Sequence, residues 1–110
     1  MCLFCEIAKK NIPSTCVYED EQVFVFNDIS PKAETHMLVI PKEHIDNVAG
    51  ITPENSAVVS HIFEVIAKLT KEMGLTDYKV ISNCGEGAGQ TVFHLHFHVL
   101  GGKGLDKAFV

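Results

Sequence analysis

Apolar and polar residues alternate, cluster or recur at helical spacing in separable stretches, and these predict the elements in order. The run "CEIAKKN" (5–11) suits one or two helical turns, which "IPS" (12–14) ends because proline has no amide donor and restricts the residue before it. "TCVYED" and "QVFVFND" are β-rich runs joined through Asp20 and Glu21, a hairpin pattern. "THMLVIP" (35–41) predicts a third strand stopped by Pro41. Over 52–73 the spacing predicts the long helix: Thr52 as N-cap, Pro53 in the first turn, then Val58, Ile62, Val65, Ile66, Leu69 and Met73 on one face before Gly74. Val59 and Phe63 widen that stripe, which suits either the same core or a subunit contact. "DYKVISN" (77–83) predicts a fourth strand, "CGEGAGQ" (84–90) a glycine-rich loop, and "TVFHLHFHVL" (91–100) a fifth strand. Strands around one main helix, with no repeat or long linker, give a single α+β domain over 1–110 with a mainly antiparallel five-stranded meander sheet and a short N-terminal helix.

The fifth strand changes the picture from fold to chemistry. His94, His96 and His98 fall at alternate positions and so share one face, neighbours about 6.6 Å apart, while Phe93, Leu95, Phe97 and Val99 share the other. The apolar side is core. Three adjacent imidazoles are a poor choice for an inert face, because imidazole serves as nucleophile, acid, base or ligand near neutral pH. Directly upstream, Gly85, Gly87 and Gly89 let backbone amides converge on an anion, and Asn83, Gln90 and Thr91 add polar side chains. Together they suit a phosphoryl centre, which needs anion-cradling donors, an in-line nucleophile and a donor for the leaving group.

Charge and composition narrow the partners. The net charge of −5 argues against a generic nucleic-acid or anionic-membrane binder but leaves room for a small anion held by local donors. The apolar runs are too short to cross a bilayer and no export signal follows Met1, so a cytoplasmic, reducing setting is expected. There the four cysteines are better suited to be thiols or metal ligands than disulfides. "CLFC" places Cys2 and Cys5 as half of a tetrahedral zinc set, with histidines needed for the rest. Cys16 and Cys84 have no such partner in sequence and are expected to be structural.

"HLHFHVL" fits the His-φ-His-φ-His-φ-φ signature, and the chain resembles the histidine triad family of nucleotide hydrolases and transferases over nearly its whole length. "VYEDEQVFVFNDISPKAETHMLVIPKEHI" and "GEGAGQTVFHLHFHVLGG" are similar to the Hint branch in particular, purine nucleoside phosphoramidases built as homodimers on a joined antiparallel sheet. The resemblance implies that His96 attacks the α-phosphorus to form a nucleotidyl-imidazole, that His98 contacts the phosphate, and that His94 supports the row or ligates a metal. It implies His36 as a further histidine beside the triad, and Thr91, where relatives carry serine, as a hydroxyl donor. Gly89, Gln90, Asn83 and the Thr91 and Val92 amides match the phosphate region, Asp28 the ribose acid, and Leu3, Phe4, Ile7, Phe26 and Ile29 the base pocket. In microbial relatives that keep the cysteine pair, Cys2, Cys5, His44 and His94 correspond to a structural zinc set, with no cofactor required for catalysis. The C-terminal "GGKGLDKAFV" lacks the tryptophan of the best-known animal members, which leaves the leaving group open. Other branches that hydrolyse dinucleoside polyphosphates or transfer nucleotidyl groups, and a non-catalytic nucleotide- or zinc-binding scaffold, remain the competing readings.

Overall fold

The computed structural model describes residues 2–110. Its elements run α1 (Leu3–Ala8), β1 (Cys16–Glu19), β2 (Val23–Asn27), β3 (Thr35–Pro41), α2 (Ser56–Glu72), β4 (Tyr78–Ile81) and β5 (Phe97–Gly101). All the strand pairs are antiparallel, in the order β1-β2-β3-β5-β4. The expected α+β fold with one long helix is thus present, and the meander holds through β3. The last two strands depart from it: α2 carries the chain past a vacant position to β4, and β5 returns to fill the gap.

The sheet has two dressed faces, which is why four successive residues of β2, Val23 to Phe26, are all buried. Val23, Val25, Met37, Val39 and Val99 pack on one face against Val58, Ile62, Val65, Ile66 and Leu69 of α2. Each such side chain taken from water contributes roughly 1.5–3 kcal/mol. Phe24, Phe26, Leu38 and Ile40 point to the opposite face, where Phe4, Ile7 and Ala8 of α1 cover them. α1 is only six residues long, too short to be stable without such packing.

Several boundaries shift for local reasons. α1 stops at Lys9, followed by Lys10 in a left-handed conformation (φ 66°), before the proline is reached. Thr52 does not cap α2. Its amide donates to Asn55 Oδ1 and its carbonyl accepts from Ser56, so Asn55 occupies the cap position and the helix begins one turn later. Met73 is about half exposed, and the buried stripe ends at Leu69 and Thr70, whose hydroxyl donates to the Ile66 carbonyl. Val59 packs partly on the core, whereas Phe63 stays about half exposed with its ring edge-on to Phe97. β4 is shorter than 77–83.

The largest shift concerns β5, which begins at Phe97 rather than at 91. In the β3–β5 register Val39 faces Phe97, so the next positions would set Leu95 against Pro41. Pro41 has no amide to donate, its carbonyl accepts from His94 Nε2, and the Leu95 amide turns to the Ile45 carbonyl instead. The facing of the side chains nevertheless persists: Leu95, Phe97 and Val99 enter the α2-side core. Phe93 alone departs from that set and is about half exposed.

A polar clasp ties α2 to the β1–β2 turn. Asp20 Oδ1 accepts the amides of Gln22 and Val23, and Oδ2 accepts from Tyr18 Oη and from His61 Nε2 at 2.6 Å. Partial burial pulls the Asp20 carboxyl upward, but these donors outweigh it and hold it at about 2. The hydrogen bond to Asp20, aided by Glu64, raises His61 above its usual 6.5. The two contributions have opposite signs. Asp20's is present above the unfolded value of 3.8 and is lost as pH falls toward about 2, while His61's is present below 6.5 and is lost as pH rises through its raised value. His61→Gln is therefore expected to destabilise the protein at pH 5.5, by on the order of 1 kcal/mol after solvent screening, and by less at pH 8.5. Thermal melts of the two proteins at both pH values check this.

Candidate active site

On the α1 side of the sheet lies a cavity of about 660 Å³. The register explains how its polar floor assembles: His98 pairs with Leu38, Leu38 with Phe26, and His36 stands two residues before Leu38 on the same face. His96, the residue before β5, joins them from its irregular lead-in. Leu3, Phe4 and Ile7 of α1, Phe26 and the almost fully exposed Ile29 form an apolar wall. Asp28, Asn83, Gly89, Thr91 and Val92 also line the cavity.

His96 is buried, and its Nδ1 lies 2.7 Å from the His94 carbonyl. A carbonyl can only accept, so Nδ1 carries the proton and Nε2 keeps its lone pair. Burial pushes the His96 pKa down against that hydrogen bond, favouring the neutral ring. The Phe4 ring stands edge-on to it with centroids 5.0 Å apart.

His98 is set up in the opposite sense. The Lys32 amide donates to His36 Nδ1 at 3.1 Å, which leaves the one proton of a neutral His36 on Nε2. That nitrogen lies 2.9 Å from His98 Nδ1 and 3.5 Å from Asp28 Oδ2. Accepting at Nδ1, a neutral His98 carries its own proton on Nε2 and acts as a donor. Burial, then the neighbouring His96 and His36, hold His98 at about 4, and burial also lowers His36. The site therefore offers one imidazole as a lone pair and another as a donor.

The loop before the histidines is held by Gln90, which is buried and engaged at both ends of its amide. Its Nε2 donates to the carbonyls of Asp46 and Val92, and its Oε1 accepts from the Gly85 amide and Asn47 Nδ2. It does not line the cavity, which corrects the expected nucleotide contact: Gln90 shapes the loop from behind. The amides of Ala88, Gly89 and Gln90 close a tight turn on Gly85 and Glu86 carbonyls, whereas those of Thr91 and Val92 take no part in the loop's hydrogen bonds. Gly89 adopts φ 91°, a conformation that favours glycine. Asn83 Nδ2 donates to the Ala88 and Val110 carbonyls, tying loop and C-terminal segment together. Asp28 Oδ1 accepts the Ser30 amide, so the turn-forming role of this aspartate coexists with its place on the cavity wall.

His94 leaves the cavity altogether. It is fully buried, donates from Nε2 to the Pro41 carbonyl at 2.7 Å, and so directs the Nδ1 lone pair toward Cys2 Sγ (3.3 Å) and Cys5 Sγ (3.4 Å). His44 does the same: Nε2 lies 2.7 Å from Asp46 Oδ1, and Nδ1 is 3.4 Å from Cys5 Sγ. The four donor atoms all lie within 4.8 Å of one another. A tetrahedral zinc with Zn–S of about 2.3 Å and Zn–N of about 2.0–2.1 Å sets sulfur and nitrogen roughly 3.5 Å apart. The donor set, its spacing and the acceptors behind both imidazoles thus fit zinc. Asp28, His36 and His98 also cluster, but there the His36 Nε2 that would face a metal holds that ring's only proton.

Other wall residues were not foreseen. Ile12, Pro13 and Leu38 extend the apolar surface, Ser14, Asn27 and Ser30 add polar groups, and Lys32 and Val110 complete the rim. "IPS" has the signal of a helix stop, and no local pattern reports that its far side meets β2. The wall places Lys32 close to His36, whose pKa its charge helps to lower.

A family model described as the scavenger mRNA decapping enzyme C-term binding family matches residues 1–107. The chain is 45% identical to protein HitA of Neisseria gonorrhoeae over 91% of its own length and 94% of the relative's. Among solved structures, a histidine triad protein from Clostridium difficile shares 51% identity with a TM-score of 0.89, covering 93% of this chain and 90% of that one. A HIT family hydrolase from Clostridium thermocellum shares 48% identity with a TM-score of 0.88, covering 92% and 90%. With the family model spanning nearly every residue and relatives close to half identical over nearly the whole chain, the chain belongs to the histidine triad family.

Proposed function

We propose that the protein hydrolyses purine nucleoside 5′-phosphoramidates through a covalent nucleotidyl-His96 intermediate. The observation that carries this reading is the tautomer of His96: a buried neutral imidazole at the cavity wall whose Nε2 lone pair has no partner among the described residues. The base lies against Phe4, Phe26 and Ile29, and burying the exposed Ile29 side chain adds to affinity. Asp28 takes the ribose hydroxyls as a two-acceptor carboxylate. The phosphate sits by Gly89, the Thr91 and Val92 amides, the Thr91 hydroxyl and the His98 Nε2 proton. Attack by His96 forms the P–N(imidazole) bond and breaks the bond to the amine, which leaves with a proton drawn from solvent and relayed through the Thr91 hydroxyl at the cavity wall. Water then releases the nucleoside monophosphate. Dividing the displacement this way replaces one hard step with two easier ones.

Cys2, Cys5, His44 and His94 would hold zinc in this reading. A closed four-ligand site fastens α1 to the chain before β5 and has no open position for substrate. The hydrolase class of a relative agrees with an enzyme, and adenosine phosphoramidate and diadenosine polyphosphates separate the branches. The expected result is a kcat/KM on the phosphoramidate at least about a hundredfold above that on the polyphosphates, a difference of about 2.7 kcal/mol. Comparable or inverted rates would assign the chain to another branch, and no turnover on either would favour a binding scaffold.

A homodimer on a joined sheet belongs to the same reading. Support comes from β4, an edge strand within the chain, and from the exposed Phe63 of α2. Light scattering is expected to give twice the chain mass, and a monomer at micromolar concentration would contradict it.

A further inference from the structure

The thiol–imidazole cluster is joined to the cavity from two sides. From α1, Phe4 sits between the two cysteines in sequence, and its ring meets His96 at 5.0 Å and Phe26 at 5.4 Å between centroids. From the other side, the carbonyl of His94, whose ring is in the cluster, accepts the Nδ1 proton of His96. A displacement of the cluster therefore reaches both the base wall and the nucleophile.

We propose that Cys2 and Cys5 form a peroxide-sensitive dithiol whose conversion to a disulfide loosens the nucleotide cavity. This rests on the nucleotide reading above. Both thiols are partly exposed, so a small hydroperoxide reaches them. Both lie 3.3–3.4 Å from one nitrogen, His94 Nδ1, and Cys2 is the N-cap of the helix turn that bears Cys5. Their Sγ atoms are within 4.8 Å of each other, and a disulfide needs about 2.05 Å. Closing that gap draws the sulfurs off His94 and His44. The step balances with hydrogen peroxide as the oxidant: the two sulfurs give up two electrons and join, the O–O bond breaks, and the two thiol protons leave with its oxygens as two waters. Where the sulfurs are thiolates on a metal, solvent supplies the two protons and the cluster loses two of its four donors. α1, six residues long, then depends chiefly on its apolar packing to stay in place.

The test uses the whole chain with Cys16→Ser and Cys84→Ser, so that only the pair can oxidise. Reduced protein is treated with hydrogen peroxide, and three quantities are followed: disulfide position by peptide mass mapping, zinc released to a chromogenic chelator, and AMP affinity by calorimetry. The expected result is a Cys2–Cys5 disulfide, zinc released in step with it, and an AMP Kd raised roughly tenfold, about 1.4 kcal/mol, with a dithiol reductant restoring affinity. A disulfide that leaves the Kd unchanged overturns the proposal, as does a pair that stays reduced in excess peroxide. A Cys2→Ser/Cys5→Ser variant in the same background is expected to bind AMP weakly from the start and to ignore peroxide, and parental affinity in that variant also overturns it. If the reduced parent binds no AMP at all, the nucleotide reading falls and takes the coupling with it, an outcome distinct from the others.

Discussion

Replacing His96 with alanine or asparagine is expected to lower kcat by about 10⁴-fold or more while AMP affinity stays within a few-fold of the parent. His96 alone of the triad combines a place on the cavity wall with an Nε2 lone pair fixed by a carbonyl behind it. His98 cannot stand in, because His36 occupies its Nδ1 and leaves a proton on Nε2. His94 cannot, because it faces the cysteines. Affinity survives because the apolar wall, Asp28 and the Thr91–Val92 amides are untouched. The asparagine variant is the cleaner of the two, since it fills part of the space against Phe4. Single-turnover rates together with calorimetry separate the effects, and near-native turnover would remove His96 from the nucleophile role.

The second large effect is on stability. His94→Ala deletes a fully buried ring, leaves the Pro41 carbonyl without that donor, and removes the nitrogen that faces both thiols. An unpaired buried acceptor alone costs about 1–3 kcal/mol, and the space left beside Phe4 and His44 adds to it. A loss of about 3 kcal/mol is expected, lowering Tm by roughly 10–15 °C. The zinc reading adds a second signature: a strong chelator is expected to lower the Tm of the parent and to leave that of His94→Ala unmoved. A variant that melts with the parent and responds equally to chelator would contradict both parts. Because His94 acts through its ring on the cluster and through its backbone on His96, its variant should keep far more activity than the His96 variants.

How much of this was legible in the sequence depends on the range of the interaction involved. The alternation of Leu95, Phe97 and Val99 announced the core face, and the helical spacing from Val58 to Leu69 announced α2, because both patterns are local consequences of burial. Strict alternation did not guarantee a strand: Pro41, more than fifty residues away, ends the β3–β5 ladder before it reaches His94 and His96. The three imidazoles consequently diverge into two sites, where the spacing alone described a single row. Gln90 had the composition of a ligand contact beside a glycine loop, and only its four partners on three segments show a support. Asp20 was legible as a turn residue, but its bond to His61 crosses 41 positions, and no local signal carries that. The wall residues Ile12, Pro13 and Ser14 were hidden for the same reason.

The proposed mechanism turns on a covalent bond to one nitrogen, and the direct test is to trap it. The protein is mixed with a slowly hydrolysed nucleoside phosphoramidate, quenched without acid because the P–N(imidazole) bond is acid-labile, and analysed intact and as peptides by mass spectrometry. The expected result is one nucleotidyl group per chain, carried by His96 and formed at a rate no slower than turnover. Turnover with no adduct, or an adduct carried by His98 or His94, would contradict it.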